Sequence, residues 1–385
     1  MQQVSNVLSR LETYVEQRDY RGYDCYDALN SPLLRLLTPG KMLKIAAIQT
    51  LKRLPINLRP LLGIPVGHNP KGLGLFLAGT VKQYRRTKDK NYLKKLEYLA
   101  NLLNSLTSSG YSGPCWGYNF DWQSRVFYVP KGTPTIVNTS YVAHAFLDAY
   151  ELTGNPAYLK TARGSCDFIL QDLNHSHEAD TLCFSYTPID TLKVHNANML
   201  GAGLMARVWA HTNEPALKEI AEKAVRYVLR YQKSEGSWVY AETSIQGWVD
   251  SFHTGFILES LKTYSDCTGD SSCIENIRRG YRFYLDHFFL EDGTPKYYHN
   301  QTFPVDIHSA AQAMVTTTRL CEYDAISQDI RERIAQWTLS NMLSTDGFFF
   351  FQKHKLYTNR IPYMRWSQAW MYHALTTYLL DTKGN

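Results

Sequence analysis

The sequence predicts an all-α fold, an (α/α)6 barrel of six helical hairpins with an N-terminal helical extension. Three observations predict it. A polar residue followed by small and apolar residues recurs at near-constant spacing, a charged amphipathic helix follows each recurrence, and an aromatic, glycine-rich loop leads to the next.

The recurring figure reads NPKGLGLFLA from Asn69, NTSYVAHAFL from Asn138, NANMLGAGLM from Asn196, DSFHTGFILE from Asp250, DIHSAAQAMV from Asp306 and RWSQAWMYHA from Arg365. Successive starts lie 69, 58, 54, 56 and 59 residues apart. Asn and Asp are favoured N-caps, so each start reads as the first residue of an inner helix. The segments that follow, such as LGAGLMARVWA and SAAQAMVTTT, are small and apolar on most faces, as a helix packed on all sides requires. Outer helices with one wet face come next: NYLKKLEYLANLLNSL, PAYLKTARGSCDFILQDL, PALKEIAEKAVRYVLRYQ, SCIENIRRGYRFYLDHFF and ISQDIRERIAQWTLSNML. On this pattern residues 66–385 form the barrel and residues 1–65 an N-terminal segment packed on it, as one structural domain.

Composition bounds the function. The chain has 385 residues, 44% hydrophobic and 20% charged, which suits one large globular domain. A net charge of +6 is too small and too dispersed for a nucleic-acid partner. The charge peaks in TPGKMLKIAAIQTLKRLPINLRPLLG, residues 38–63, which reads either as the missing outer helix or as a patch touching a membrane surface or a polysaccharide-assembly partner. No apolar run reaches the roughly 20 residues of a membrane span. The polar N-terminus lacks the layout of a signal peptide. Seven scattered cysteines fit a reducing compartment, so a cytoplasmic location is expected; only Cys267 and Cys273 are close enough in sequence to suggest a bridge. Nucleotide-binding, zinc-binding and serine-hydrolase fingerprints are missing, and no cofactor or metal is expected.

In a hairpin barrel the N-termini of the inner helices converge on one end. The residues expected at that funnel are Trp116, Tyr118, Asp121, Trp122, Asn138, His195, Asn196, Asn198, Trp248, Asp250, His253, Asp306, His308, Arg365 and Trp366. Such a set suits an oligosaccharide or polysaccharide: flat rings cover the apolar faces of sugars, while Asn, Asp, His and Arg meet hydroxyls. Arg365 could hold a uronate carboxylate bidentately.

The stretches NTSYVAHAFLDAYELTGNPAYL, VDSFHTGFILESL and PYMRWSQAWMYHALTTYL resemble the six-hairpin glycosidase superfamily, and are similar to the helical domain of glucuronyl C5-epimerases and to proteins encoded with exopolysaccharide biosynthesis genes. The resemblance covers residues 66 to 382 and implies a carbohydrate-active enzyme, with the reaction left open among hydrolase, lyase and epimerase. A hydrolase needs two carboxylates flanking the scissile bond. Asp250 and Asp306 are then the natural pair and Asp121 the third choice; capping explains the first two equally well. A lyase or C5-epimerase needs a proton-transferring group and a neutralised carboxylate, for which His253, His308 or Tyr118 and Arg365 are candidates. The segment RGYDCYDALNSPL, residues 21–33, resembles one in exopolysaccharide-cluster proteins and suggests a lid that brings Asp24 or Asp27 to the funnel. A non-catalytic toroid that binds a glycan or a protein is the competing class.

Overall fold

The structure is a computed structural model that describes residues 2–381. Met1 and residues 382–385, the last of the expected barrel span, lie outside the described residues. Fourteen α-helices are described: α1 (Gln2–Glu16), α2 (Pro32–Leu37), α3 (Lys41–Arg53), α4 (Pro70–Thr87), α5 (Asn91–Ser105), α6 (Ile136–Thr153), α7 (Pro156–Gln171), α8 (His195–Thr212), α9 (Pro215–Arg230), α10 (Ser251–Thr268), α11 (Ile274–His287), α12 (Ile307–Arg319), α13 (Ser327–Asn341) and α14 (Trp370–Asp381).

Helices α4, α6, α8, α10, α12 and α14 form the inner ring, each packed on the next, and α14 returns to α4 to close it. They are buried nearly all round, α12 from Ile307 to Thr318 without interruption, as their small apolar sequences demand. The closing contact is tight: a Cβ on Gly79 would lie 2.5 Å from the Tyr372 ring. Helices α5, α7, α9, α11 and α13 pack outside their inner partners. Their wet faces match the amphipathic sequences.

The sixth outer position is filled by α1, not by residues 38–63. Helix α1 buries Val4, Val7, Leu8, Leu11, Tyr14 and Val15, a stripe at i, i+3, i+4, i+7 spacing, and packs against α14. Glu12 fixes it there, accepting from Tyr372 Oη at 3.0 Å, Gln83 Nε2 at 3.1 Å and Tyr92 Oη at 3.1 Å. By contrast α3 buries only Ile48 and Leu51, and these join Ala28, Leu29 and Ile64 in a small separate core.

Two inner helices start earlier than the aligned figure suggests. Thr135 caps α6, its hydroxyl accepting from Asn138 N, so Asn138 sits inside the first turn. Val194 precedes α8 and has no side-chain acceptor, so Asn196 is also helical. Asn69, Asp250 and Asp306 are N-caps, each accepting a backbone N–H of its first turn. The last inner helix opens with a π-helical turn, Met364–Ala369, so Arg365 is inside the turn rather than its cap. The interhelical loops carry short antiparallel strand pairs, the largest joining Val305–Asp306, Gln352–Lys353 and Thr358–Asn359.

Candidate functional site

At the N-terminal mouth of the inner ring, Asp250 and His253 form the most chemically suggestive pair. Asp250 Oδ1 accepts from His253 N at 3.0 Å, closing the first turn of α10. Its Oδ2 lies 2.6 Å from His253 Nδ1 and accepts from Trp248 Nε1 at 2.9 Å. A carboxylate at Nδ1 keeps a proton on that nitrogen, so Nε2 is the atom placed to exchange one. The His253 side chain is 21% exposed, whereas Asp250 is fully enclosed. Tyr240 stacks on Trp248 with centroids 4.8 Å apart and touches the His253 ring at 4.6 Å, forming an aromatic wall beside the imidazole. Asn196 lines the same cleft.

Asp306 is bound more fully. It accepts from His308 N at 2.8 Å, Trp366 Nε1 at 2.9 Å and Gln352 Nε2 at 2.6 Å. Burial pushes its carboxyl above the usual range, opposed by these donors. His308 is sandwiched between Phe252, centroid 4.4 Å away, and Trp370 at 4.2 Å, with the edge of Trp366 at 4.7 Å. Neither ring nitrogen has a hydrogen-bond partner among the described residues. Burial, with Lys71 and Arg365 nearby, pulls it well below the usual histidine range, so the ring is neutral.

Arg365 does not present a free fork to a substrate carboxylate. Its Nε and Nη2 donate to Asp24 Oδ2 and Oδ1 at 2.6 and 2.7 Å, with both side chains almost completely buried. The segment around Asp24 therefore lies on the mouth, and α3 lies behind it: Lys52 Nζ donates to Tyr26 Oη at 2.8 Å and stands over the Trp366 ring. Asp27 faces away, 2.6 Å from Arg59 Nε, and serves the segment's own fold. Tyr118, Trp122 and Tyr26 surround the Asp24–Arg365 pair, Arg365 lying 5.3 Å from the Tyr118 ring and Trp122 meeting both tyrosines edge-on.

Other expected site residues are elsewhere. Trp116 is a core residue, donating from Nε1 to Leu103 O and packed on Phe146. Asp121 lies in an exposed loop with Arg35 at 3.1 Å and Lys131 N at 2.7 Å, apart from the other acids. Asn198 spends its amide on Phe184 N, Leu182 O and Ala224 O, a purely structural set. His195 is buried beside Tyr227 and Tyr231; Glu242 Oε1 lies 2.6 Å from its Nε2 but off the line of a hydrogen bond. Both side-chain polar atoms of Asn138 are buried without a partner among the described residues.

Three residues that sequence reasoning missed belong to the mouth: Lys52, Tyr240 and Lys71. Lys71 is buried in the first turn of α4, its Nζ 4.4 Å from the Tyr141 ring centroid and 5.1 Å from that of Trp370. Burial and the Arg365 charge pull its ammonium well down. A lysine in the first turn of an inner helix, just before the small and apolar run Gly72–Gly79, was the available signal. Cys267 and Cys273 are free thiols, so the suggested bridge is not formed. Among the described residues no group of His, Cys, Asp and Glu has metal-binding spacing, and no helix is long and apolar enough to cross a membrane.

No family model and no curated protein sequence matches the chain. Solved structures do. A cellobiose 2-epimerase from Bacillus thermoamylovorans B4167 superposes with a TM-score of 0.65 at 12% identity, over 83% of this chain and 90% of that one. A GH76 α-mannanase, BT2949 of Bacteroides thetaiotaomicron, gives 0.61 at 14% identity over 80% and 86%. An unsaturated glucuronyl hydrolase specific for heparin gives 0.60 at 14% identity over 83% and 89%. The architecture is thus the (α/α)6 barrel of the six-hairpin glycosidase fold. At these identities the likeness establishes the fold and leaves the chemistry to the side chains.

Proposed function

We propose that the chain is a carbohydrate-active enzyme that moves a proton on a sugar, as an epimerase or isomerase does. One observation carries this reading: His253 is held by Asp250 through Nδ1, its Nε2 has no protein partner among the described residues, and its ring is partly exposed beside a stacked Tyr240–Trp248 wall. An imidazole oriented by a carboxylate at Nδ1 is suited to exchange a proton through Nε2 with a carbon next to a carbonyl or carboxylate. The negative charge that develops on oxygen needs a cation in a water-poor site, and the half-buried ammonium of Lys52, kept charged beside the Tyr26 oxygen, is the candidate. The unpaired nitrogens of His308 can return or relay the proton.

Hydrolysis is less well supported. Asp250 and Asp306 each accept from three donors and cap a helix, which leaves neither carboxyl free to protonate a leaving group. The raised Asp306 is the one feature in its favour. Epimerase, isomerase, mannanase and glucuronyl hydrolase neighbours agree in acting on sugars, which supports a saccharide substrate.

Role and place follow from weaker supports. Seven free thiols, five of them buried, suit the cytoplasm. Met42, Leu43, Ile56 and Leu61 are exposed on the segment that carries Lys41 and Lys44, which supports a membrane-surface contact through residues 38–63 during polysaccharide biosynthesis. The test of the catalytic reading is to incubate wild type and His253→Ala with neutral and uronate-containing oligosaccharides and resolve products by chromatography. Isomeric products of unchanged mass, lost in the variant, are expected; products gaining one water that survive in His253→Ala would overturn it.

A further inference from the structure

At the opposite end of the barrel, among the C-terminal halves of the inner helices, lies a second cavity of ≈380 Å³. That is at the lower end of the ~300–1,000 Å³ range of small-molecule pockets. Tyr141 and Phe256 form its floor and separate it from the mouth: Lys71, over both rings, lies on the mouth side, and Phe256 stacks on Trp370.

Its charges are only partly paired. Arg207 is matched, donating to Asp148 Oδ1 at 2.8 Å and Glu151 Oε1 at 2.7 Å. Glu259 accepts from Thr316 Oγ1 at 2.7 Å and from Gln312; burial pushes its carboxyl up, opposed by the nearby Arg319 and Lys82. Two cations make no direct ion pair. Lys82 Nζ meets only the neutral His373, at 3.3 Å from Nδ1, and Arg319 Nη2 donates only to Thr263 Oγ1 at 3.0 Å. Among the described residues neither of the two enters an ion pair. Ser260, Thr263, Thr377 and the Tyr141 hydroxyl supply neutral polar groups on the same wall. Lys82, half-buried, and Arg319, exposed at the rim, sit near Asp148 and Glu259 but pair directly with neither among the described residues, so the open space between the two cations suits an anion, and hydroxyl-rich walls suit a hydroxylated one.

We propose that this cavity is a binding site for a small sugar bearing an oxyanion, a sugar phosphate or a sugar acid, whose charge lies between Lys82 and Arg319. Its ring occupies the space above Tyr141 and Phe256. Nothing in this assignment depends on the chemistry at the mouth. The groups acting on Lys82 are His373, Asp148, Glu259, Arg319 and Arg85, and burial brings its ammonium down to about 8, so it is charged at neutral pH.

The test is isothermal titration calorimetry of the full chain at pH 7 and low salt with glucose 6-phosphate, glucuronate, glucose and inorganic phosphate. One or both charged sugars should bind, and which of them does so separates phosphate from carboxylate. Glucose should not bind, and inorganic phosphate should bind at least tenfold more weakly. Arg319→Gln, at the exposed rim, and Lys82→Met should each weaken binding at least tenfold, while His253→Ala leaves it unchanged. Silence with both charged sugars, affinity unaltered in both cavity variants, or loss in His253→Ala alone would overturn the assignment. Equal affinity for inorganic phosphate would remove the sugar from it.

Discussion

Replacing Asp24 by Asn tests how the N-terminal segment is held on the barrel. The carboxylate accepts two hydrogen bonds from Arg365, at 2.6 and 2.7 Å, and the two side chains are 4% and 3% exposed. Asp24→Asn keeps the shape but leaves a buried guanidinium facing a neutral group. Removing one partner of a buried pair costs about 3–5 kcal/mol, because the remaining charge has lost its solvation and gained nothing. A chain of 385 residues, at about 2.1 cal/mol/K per residue, unfolds with an entropy of about 0.8 kcal/mol/K, so the melting temperature should fall by about 4–6 °C. Arg59 Nη2 donates to the Asp24 backbone carbonyl and is untouched, and Oδ1, which also accepts from Tyr26 N at 3.1 Å, remains an acceptor as the amide oxygen. Differential scanning calorimetry at pH 7 reads the effect. The double variant Asp24→Asn/Arg365→Met removes the orphaned cation and should recover more than half of it. A fall under about 1 °C, or a double variant as unstable as the two singles added together, would refute the reasoning.

Asp250→Asn should cut turnover by about 10²–10⁴-fold, because the amide can no longer hold the His253 tautomer, while the melting temperature falls by only about 1–4 °C, since Asn still caps the helix and what is lost is an acceptor for Trp248 Nε1; a large melting loss with turnover unchanged in the folded variant would make Asp250 purely structural. His308→Phe should raise stability by about 1–3 kcal/mol, by removing two buried unsatisfied nitrogens between aromatic rings, while lowering activity; denaturant unfolding and initial rates decide it. Oxyanion binding in the second cavity should weaken as pH rises through about 8, where Lys82 loses its proton, and Lys82→Met should show a flat profile over the same range in calorimetric titrations.

Much of the ring was legible because capping and helical periodicity are local. Asp250 and Asp306 announce their helices through acceptors two or three residues from the donors they satisfy. The same logic misplaced Asn138 and Asn196, since Thr135 takes the capping role three residues earlier and Val194 shows that a buried inner helix can start without a side-chain cap. The sixth hairpin was hidden because its outer helix, α1, and its inner helix, α14, stand at opposite ends of the chain and break the hairpin order of the repeat. Pairs distant in sequence left no signal either: Asp24 and Arg365 are 341 positions apart, so Arg365 read as a free carboxylate binder. Trp116 and Trp122 look alike in sequence, yet one donates into the core and the other faces the mouth. Only the packing separates them.

The central claim is that His253, oriented by Asp250, takes a proton from a sugar carbon. The measurement that tests it most directly is deuterium incorporation from heavy water into unreacted and product sugar, followed by nuclear magnetic resonance for wild type and His253→Ala. The expected result is exchange of one carbon-bound hydrogen by wild type and none by the variant. Turnover without carbon-bound deuterium, or exchange that persists in His253→Ala, would contradict it.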